Sequence, residues 1–248
     1  NHEILWTLAL LPVRQTPLFP LFYNSQFAHA DFAAQNRIPG FLSTGYDSVG
    51  AYMKMGLPAM AEHPESIQRT DCAVVFATAG GMIADPVTTR DWLYKLIKEQ
   101  HLLSDYGPLE AVGPGGRADI LSADAQYMTA LLLGGGVGRD VTKYLAANKV
   151  AAGEATCLSA FSGLMQRSQL SILARLKIEQ LRIPKQPFPA PPNRDYASEP
   201  VQYAPQPATF DIMANLVEGT GDRHGAGVFS ALGRNMRWEV ADGIMSVN

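Results

Sequence analysis

The 248-residue chain has little charge, since Asp, Glu, Lys and Arg together make up 17% of its residues, against roughly 25% in an ordinary soluble domain. Its net charge of −3 gives the whole molecule no field that would draw it to nucleic acid or anionic lipid. Hydrophobic residues make up 47%, enough to build a sizeable core, which excludes a disordered tail. A surface this short of charge favours a subunit that partners cover.

Long hydrophobic runs and paired cysteines are also missing. The longest early apolar stretch covers residues 4–13, well short of the roughly 20 residues of a membrane-spanning helix. It lacks the basic start and the cleavage site of a secretory signal as well. Cys72 and Cys157 each stand in an apolar run, so we expect both to be buried and reduced. Because the first residue is Asn1, we expect a processed chain or a piece of a longer polypeptide.

The motifs of common metal and catalytic sites are absent too. The five histidines are scattered and show none of the spacings of zinc sites. The chain has no GxSxG elbow, no P-loop and no dinucleotide-binding fingerprint. We therefore expect no metal and no cofactor, and the sequence favours a protein without enzymatic activity.

Helical periodicity is what the middle of the chain does show. Apolar residues at positions 92, 93, 96 and 97 predict a helix over 88–101. A second helix is predicted to begin at Ser122, in the N-cap position, and to end at the glycines 134–136. A third covers 139–149. The longest covers 156–183, which contains no proline and would extend about 42 Å.

Proline marks the remaining segments. Pro12, Pro17 and Pro20 predict an extended, aromatic-rich segment around residues 17–23. Eight of the 17 prolines fall between 184 and 207 and predict a polyproline-like arm. We therefore predict a mainly α fold with three parts: an irregular helix-rich body over 1–183, an extended Pro-rich arm over 184–208 and a small C-terminal α(+β) docking unit over 209–248.

The main functional hypothesis is a structural subunit of a large symmetric assembly, a viral capsid or shell protein located in the virion. Its partners would be copies of itself or other chains of the same assembly. The arm would lie on a neighbouring chain, because prolines lower the entropy lost on docking. The residues predicted to fill or line that interface are Phe188, Pro191, Pro192, Tyr196 and Tyr203.

Basic residues on the longest helix and after it suggest a second contact. They form a mild stripe that is either a solvated helix face or a surface for nonspecific contact with packaged nucleic acid: Arg167, Arg175, Lys177, Arg182 and Lys185.

Carboxylates carry the alternative hypothesis, a glycoside hydrolase of the helical-toroid type. Glu110, Asp119 and Asp124 fall within 15 residues, and Asp47 follows Tyr46 in an aromatic-rich region. Glycoside hydrolysis needs one acid to protonate the leaving oxygen and a second as base or nucleophile. Asp47 and Asp124 could instead cap helices, and Asp119 could pair with a nearby arginine. An envelope or secretion-machine subunit is a further alternative.

Overall fold

The computed structural model describes residues 2–61, 63–150, 156–193, 238–241 and 244–247. The chain divides into two compact units, one of Asn1–Ser48 with Tyr52–Tyr203 and one of Val49–Ala51 with Ala204–Asn248. The fold is mainly α, as the sequence predicted. The α-helices of the described residues are α1 (His2–Leu10), α2 (Phe19–Gln35), α3 (Val75–Ala79), α4 (Gly81–Ala84), α5 (Pro86–Tyr94), α6 (Ala123–Leu133), α7 (Gly138–Ala147) and α8 (Cys157–Leu176).

Short strands join these helices in the larger unit. Among its described residues four antiparallel pairings hold these strands. They join β1 (Gly45–Tyr46) to β2 (Tyr52–Met53) and β4 (Leu103–Ser104) to β5 (Gly107–Pro108). The other two form a three-stranded sheet in the order β3 (Ala73–Val74), β6 (Ala111–Gly113) and β7 (Gly116–Arg117). A π-helical turn, Lys95–Glu99, extends α5.

The core of the larger unit lies where α1, α3, α5 and α6 meet. Phe41 and Trp92 are fully buried and their rings meet edge to face at 5.3 Å. A glycine turn at the end of α6 packs against α1. Gly136 has a φ of +74°, and a Cβ there would lie 2.6 Å from the carbonyl oxygen of Ala9. Only glycine combines a positive φ with the absence of a Cβ, so a glycine at this position lets the turn pack closely against α1.

The N-terminal aromatic segment is helical, and the predicted extended segment over 17–23 is wrong. Helix α2 begins at Phe19 with Pro20 in its first turn. A proline in that position loses nothing, because the first N–H groups of a helix have no partner within the helix. The whole helix is 17 residues long and ends at Gln35.

The longest predicted helix is shorter than expected. Helix α8 ends at Leu176 rather than at residue 183, because Lys177 adopts a left-handed conformation with a φ of +53°. The N–H of Lys177 donates to the carbonyl of Ala174, which closes the helix. Residues 178–193 then follow without helical structure.

The described part of the Pro-rich segment, residues 184–193, packs on its own body. The side chain of Phe188 is only 3% exposed. Its ring lies 5.5 Å from that of Tyr23, 5.9 Å from that of Phe27 and 6.1 Å from that of Phe41. Phe188, predicted to fill a pocket of a neighbouring chain, therefore fills one in its own body.

Hydrogen bonds fix the backbone of this segment. The N–H of Phe188 donates to Asp85 Oδ2 at 3.0 Å, and the indole of Trp92 donates to the carbonyl of Pro189 at 2.8 Å. Further along, Arg37 donates to the carbonyl of Asn193 at 3.3 Å. This segment has no regular structure, so its backbone groups find partners on side chains that follow α2 or belong to α5 and its N-cap.

Two other predicted interface residues, Pro191 and Pro192, are half-buried in the same segment and stay a prediction. Tyr196 and Tyr203 lie outside the described residues. So does most of the predicted C-terminal unit, whose described part is an antiparallel hairpin of β8 (Trp238–Ala241) and β9 (Ile244–Val247). Among the described residues, none of the helices is long and apolar enough to cross a membrane.

Candidate active site

Glu110 lies at the edge of the three-stranded sheet, directly before β6. Its N–H donates to the carbonyl of Ile120 at 3.0 Å, and its carbonyl accepts from the N–H of Val75 at 3.3 Å. These backbone bonds extend the pairing on both sides of β6, so the position of the glutamate is fixed by the sheet. The residue is 4% exposed, which is unusual for a carboxyl group.

The β1–β2 hairpin lies against this glutamate. Gly45 pairs with Met53 and Tyr46 with Tyr52. A Cβ at Gly45 would lie 3.0 Å from Glu110 Oε1, so the glycine leaves room for the carboxyl group. The rings of Tyr46 and Tyr52 meet edge to face at 5.3 Å, and Tyr52 is 55% exposed. An aromatic pair, of which Tyr52 is exposed and Tyr46 is half-buried, therefore stands beside a buried acid.

Ser122 holds the other oxygen of the carboxyl group. Its hydroxyl donates to Glu110 Oε2 at 2.6 Å. Ser122 is the N-cap residue of α6, as predicted, but its side chain makes no capping hydrogen bond to the helix. The hydroxyl that would ordinarily satisfy a free N–H of the first turn is directed to the glutamate instead.

Burial and a nearby charge raise the pKa of the Glu110 carboxyl group. Burial raises the pKa of its carboxyl group to about 7; the hydrogen bond from Ser122 opposes this rise, and the nearby charge of Asp124 adds to it. Burial likewise raises the pKa of Tyr46, and the charges of Glu110 and Asp124 act in the same direction. A carboxyl group with a pKa of about 7 is substantially protonated at neutral pH and can donate that proton.

The candidate acids of the sequence fall into different settings. Asp124 is exposed in the first turn of α6, close enough to Glu110 for their charges to interact. Asp119 follows β7 on the surface and pairs with Arg117 at 2.6 Å, the alternative that the sequence left open. A charge interaction therefore links Asp124 to Glu110, whereas Asp119 belongs to a surface ion pair.

Asp47 follows Tyr46 but its carboxylate belongs to a buried network. Its side chain is 7% exposed and lies 3.7 Å from the guanidinium of Arg69. Arg69 also donates two hydrogen bonds to Asp71, at 2.9 and 3.1 Å. Burial alone would raise the pKa of Asp71, but the hydrogen bonds and the charge of Arg69 outweigh it and lower that pKa. The alternative that Asp47 caps a helix is wrong, because no helix directly follows it in this described stretch of the chain and residues 45–46 and 52–53 pair as β1 and β2.

The basic residues predicted as a nucleic-acid face lie on the surface. All five are exposed, along α8 and the chain that follows it: Arg167, Arg175, Lys177, Arg182 and Lys185. Their exposure is equally expected of a solvated helix face, so contact with nucleic acid stays a prediction.

Sequence reasoning missed two members of the site, Gly45 and Ser122. Ser122 was assigned a cap, and its distance of 12 residues from Glu110 gave no sign of contact. A turn signal at Gly113-Pro-Gly-Gly116 could have shown that the chain folds back and brings the two together. Gly45 lies 65 positions before Glu110, and no local pattern joins them.

Comparisons with known proteins place the fold. No protein-family model matches the chain, and no curated protein matches it. Two solved structures do: the endo-β-1,2-glucanase from Talaromyces funiculosus with sophorose, and a glutamate-to-glutamine mutant of that enzyme with β-1,2-glucan. Each has a TM-score of 0.52 and 16% sequence identity, over 75% of this chain and 40% of the other. The matched part is thus two fifths of the glucanase, and the likeness concerns the fold.

This likeness corrects the main functional hypothesis. A viral capsid or shell protein is wrong, because the fold resembles that of a glucan-cleaving enzyme and not of a shell subunit. Phe188, on which the predicted docking of the Pro-rich segment depended, is buried in its own body. The alternative of an envelope or secretion-machine subunit gains no support from either finding.

Proposed function

We propose that this chain carries the acid–base site of a glycoside hydrolase, with Glu110 as the proton donor. The observation that carries the proposal is a buried carboxyl group, 4% exposed and with a pKa raised to about 7, beside a pair of tyrosines of which Tyr52 is exposed. A general acid must keep its proton near the operating pH, and burial achieves this for Glu110. The glucanase fold supports the same assignment.

In this mechanism Glu110 transfers its proton to the oxygen of the scissile glycosidic bond as that bond breaks, while a water molecule bonds to the anomeric carbon and gives a proton to Asp124. Asp124, exposed and close enough for its charge to act on Glu110, is the second carboxylate of the site. Its negative charge keeps the proton on Glu110 before the bond breaks and then favours the positive charge that develops on the sugar ring. Tyr46 and Tyr52 offer aromatic faces and edges on which a sugar ring can pack.

The substrate class that we propose is a β-linked glucan, with the β-1,2 linkage tested first because the structurally similar enzyme acts on it. The test is the release of reducing ends from β-1,2-, β-1,3- and β-1,4-glucan by the wild-type protein and by Glu110→Gln. We expect one glucan to be cleaved and Glu110→Gln to lose roughly 100-fold or more in kcat, the usual effect of losing a general acid.

The matched control is Asp119→Asn, which removes a carboxylate that already has Arg117 as its partner. It is expected to retain activity within a few-fold of wild type. The proposal is rejected if the wild-type protein cleaves none of the three glucans, or if Glu110→Gln is as active as the control.

A further inference from the structure

Ser122 stands in a helix-capping position and does not cap. Its backbone is extended, with φ −98° and ψ 139°, and its carbonyl accepts the first hydrogen bond of α6 from the N–H of Gln126. Thr156, the N-cap residue of α8, shows the ordinary arrangement, since its side-chain oxygen accepts from the N–H of Ser159 at 3.3 Å. The two helices thus have the same kind of N-cap residue with different hydrogen bonds.

Diversion of the hydroxyl needs a compensating gain. A capping side chain stabilises a helix, and α6 forgoes that contribution. The hydroxyl reaches Glu110 Oε2 at 2.6 Å instead, a distance typical of a strong bond to a carboxyl oxygen. Within the described residues Oε1 receives no hydrogen bond, and it faces the position where Gly45 lacks a side chain. The two oxygens of Glu110 are therefore held differently.

We propose that Ser122 and Gly45 are positioning residues that decide which oxygen of Glu110 carries the acidic proton. A hydroxyl that donates to Oε2 keeps that oxygen an acceptor, so the proton of the neutral acid resides on Oε1. Gly45 keeps Oε1 in place, because a Cβ 3.0 Å away would displace the carboxyl group. The role in proton donation rests on the proposed function, whereas the hold on the carboxyl group does not.

The first experiment needs no substrate. Glutamate labelled with 13C at the carboxyl carbon lets NMR follow the titration of Glu110 in the wild-type protein, Ser122→Ala, Ser122→Thr and Thr156→Ala. Loss of a hydrogen bond to the ionised form raises the pKa, so the Glu110 resonance of Ser122→Ala is expected to titrate about one pH unit higher. Ser122→Thr keeps the hydroxyl and should return the titration to the wild-type range. Thr156→Ala should leave it unchanged.

The second experiment measures catalysis on whichever glucan is cleaved. We expect Ser122→Ala to lower kcat roughly 10-fold with KM within about two-fold of wild type, because the proton is delivered from a worse position. The pH at which kcat falls on the alkaline side should rise in this variant, by the same amount as the pKa of Glu110 measured by NMR. Gly45→Ala should lower kcat in the same manner, and Ser122→Thr should restore much of it.

The two experiments separate the two proposals. If Ser122→Ala shifts the titration of Glu110 but the wild-type protein cleaves no glucan, the hold on the carboxyl group stands and the hydrolase assignment fails. If the protein cleaves a glucan through Glu110 but Ser122→Ala titrates like wild type, the positioning proposal is overturned. An equal loss in kcat for Ser122→Ala and Thr156→Ala, with no shift in either pH profile, would overturn it as well, because it would indicate helix stability alone.

Discussion

Replacing Glu110 by glutamine should stabilise the protein, and the gain should depend on pH. The folded-state pKa of Glu110 is about 7, whereas the ordinary value of a glutamate is 4.5. Below pH 4.5 the carboxyl group is neutral in both states, and the contribution of its burial is fully present. As the pH rises through about 7, the folded state must either keep a proton that the unfolded chain releases or bury a charge. Stability is therefore lost over this range.

The magnitude follows from the difference between the two pKa values. One pKa unit corresponds to about 1.4 kcal/mol, so the wild-type protein should lose about 3 kcal/mol through this group between pH 4.5 and pH 8. Glu110 is 4% exposed, so solvent screening weakens the effect little. Glu110→Gln is neutral at every pH and avoids the loss. Against a total stability of roughly 5–15 kcal/mol, the difference is readily measured.

Urea denaturation followed by tryptophan fluorescence, repeated at steps from pH 4.5 to pH 8.5, gives the free energy of unfolding of both proteins. We expect the two curves to lie close together at pH 4.5 and to separate in favour of Glu110→Gln as the pH rises. Glu179→Gln removes an exposed carboxyl group and is the control, with a difference that should stay flat. A flat difference for Glu110→Gln as well would refute the premise that burial dominates the titration of this group.

Two further predictions concern stability alone. Phe188→Ala should cost roughly 3–5 kcal/mol in the free energy of unfolding, since the ring is 3% exposed among other aromatic rings. The control is Gln186→Ala, at an exposed site in the same segment, which should change the free energy of unfolding little. If Phe188→Ala lowers that free energy by less than about 1 kcal/mol, the packing described for Phe188 is wrong. By the same urea denaturation, Gly136→Ala should lower the free energy of unfolding by about 2 kcal/mol more than Gly135→Ala does. The reason is that both positions have a positive φ, but only Gly136 faces a carbonyl oxygen. Equal costs would mean that the backbone conformation alone matters.

Local patterns predicted the helices of the middle of the chain well. The predicted helix over 88–101 corresponds to α5 and its π-helical extension, and the other two correspond to α6 and α7. Apolar spacing and glycine termini are signals within a few residues, which is why they could be recognised in sequence. The end of α8 could not be predicted in this way, because Lys177 is not a residue type that favours a left-handed conformation.

The candidate site could be predicted only in part. Glu110 and Asp124 are near each other in sequence, so their pairing was within reach of a local argument. The burial that raises the pKa of Glu110 depends on Gly45 and on the sheet, which the fold brings from distant parts of the chain. Composition likewise predicted an extended Pro-rich segment but not the surface it covers, because an extended chain can lie equally well on its own body or on another.

The Pro-rich segment also bears on how the chain folds during synthesis. Its contacts, and those of the residues just before it, join positions far apart in sequence. The side chain of Asn24 donates to the carbonyl of Arg182, 158 positions later, and Arg37 donates to that of Asn193, 156 positions later. A ribosome adding about 5–20 residues per second needs roughly 10–30 s to make that intervening chain. During this time α2 can form, but the face that Phe188 later covers is open to water. The aromatic side chains of Tyr23 and Phe27 on that face thus stay uncovered until Phe188 has been synthesised.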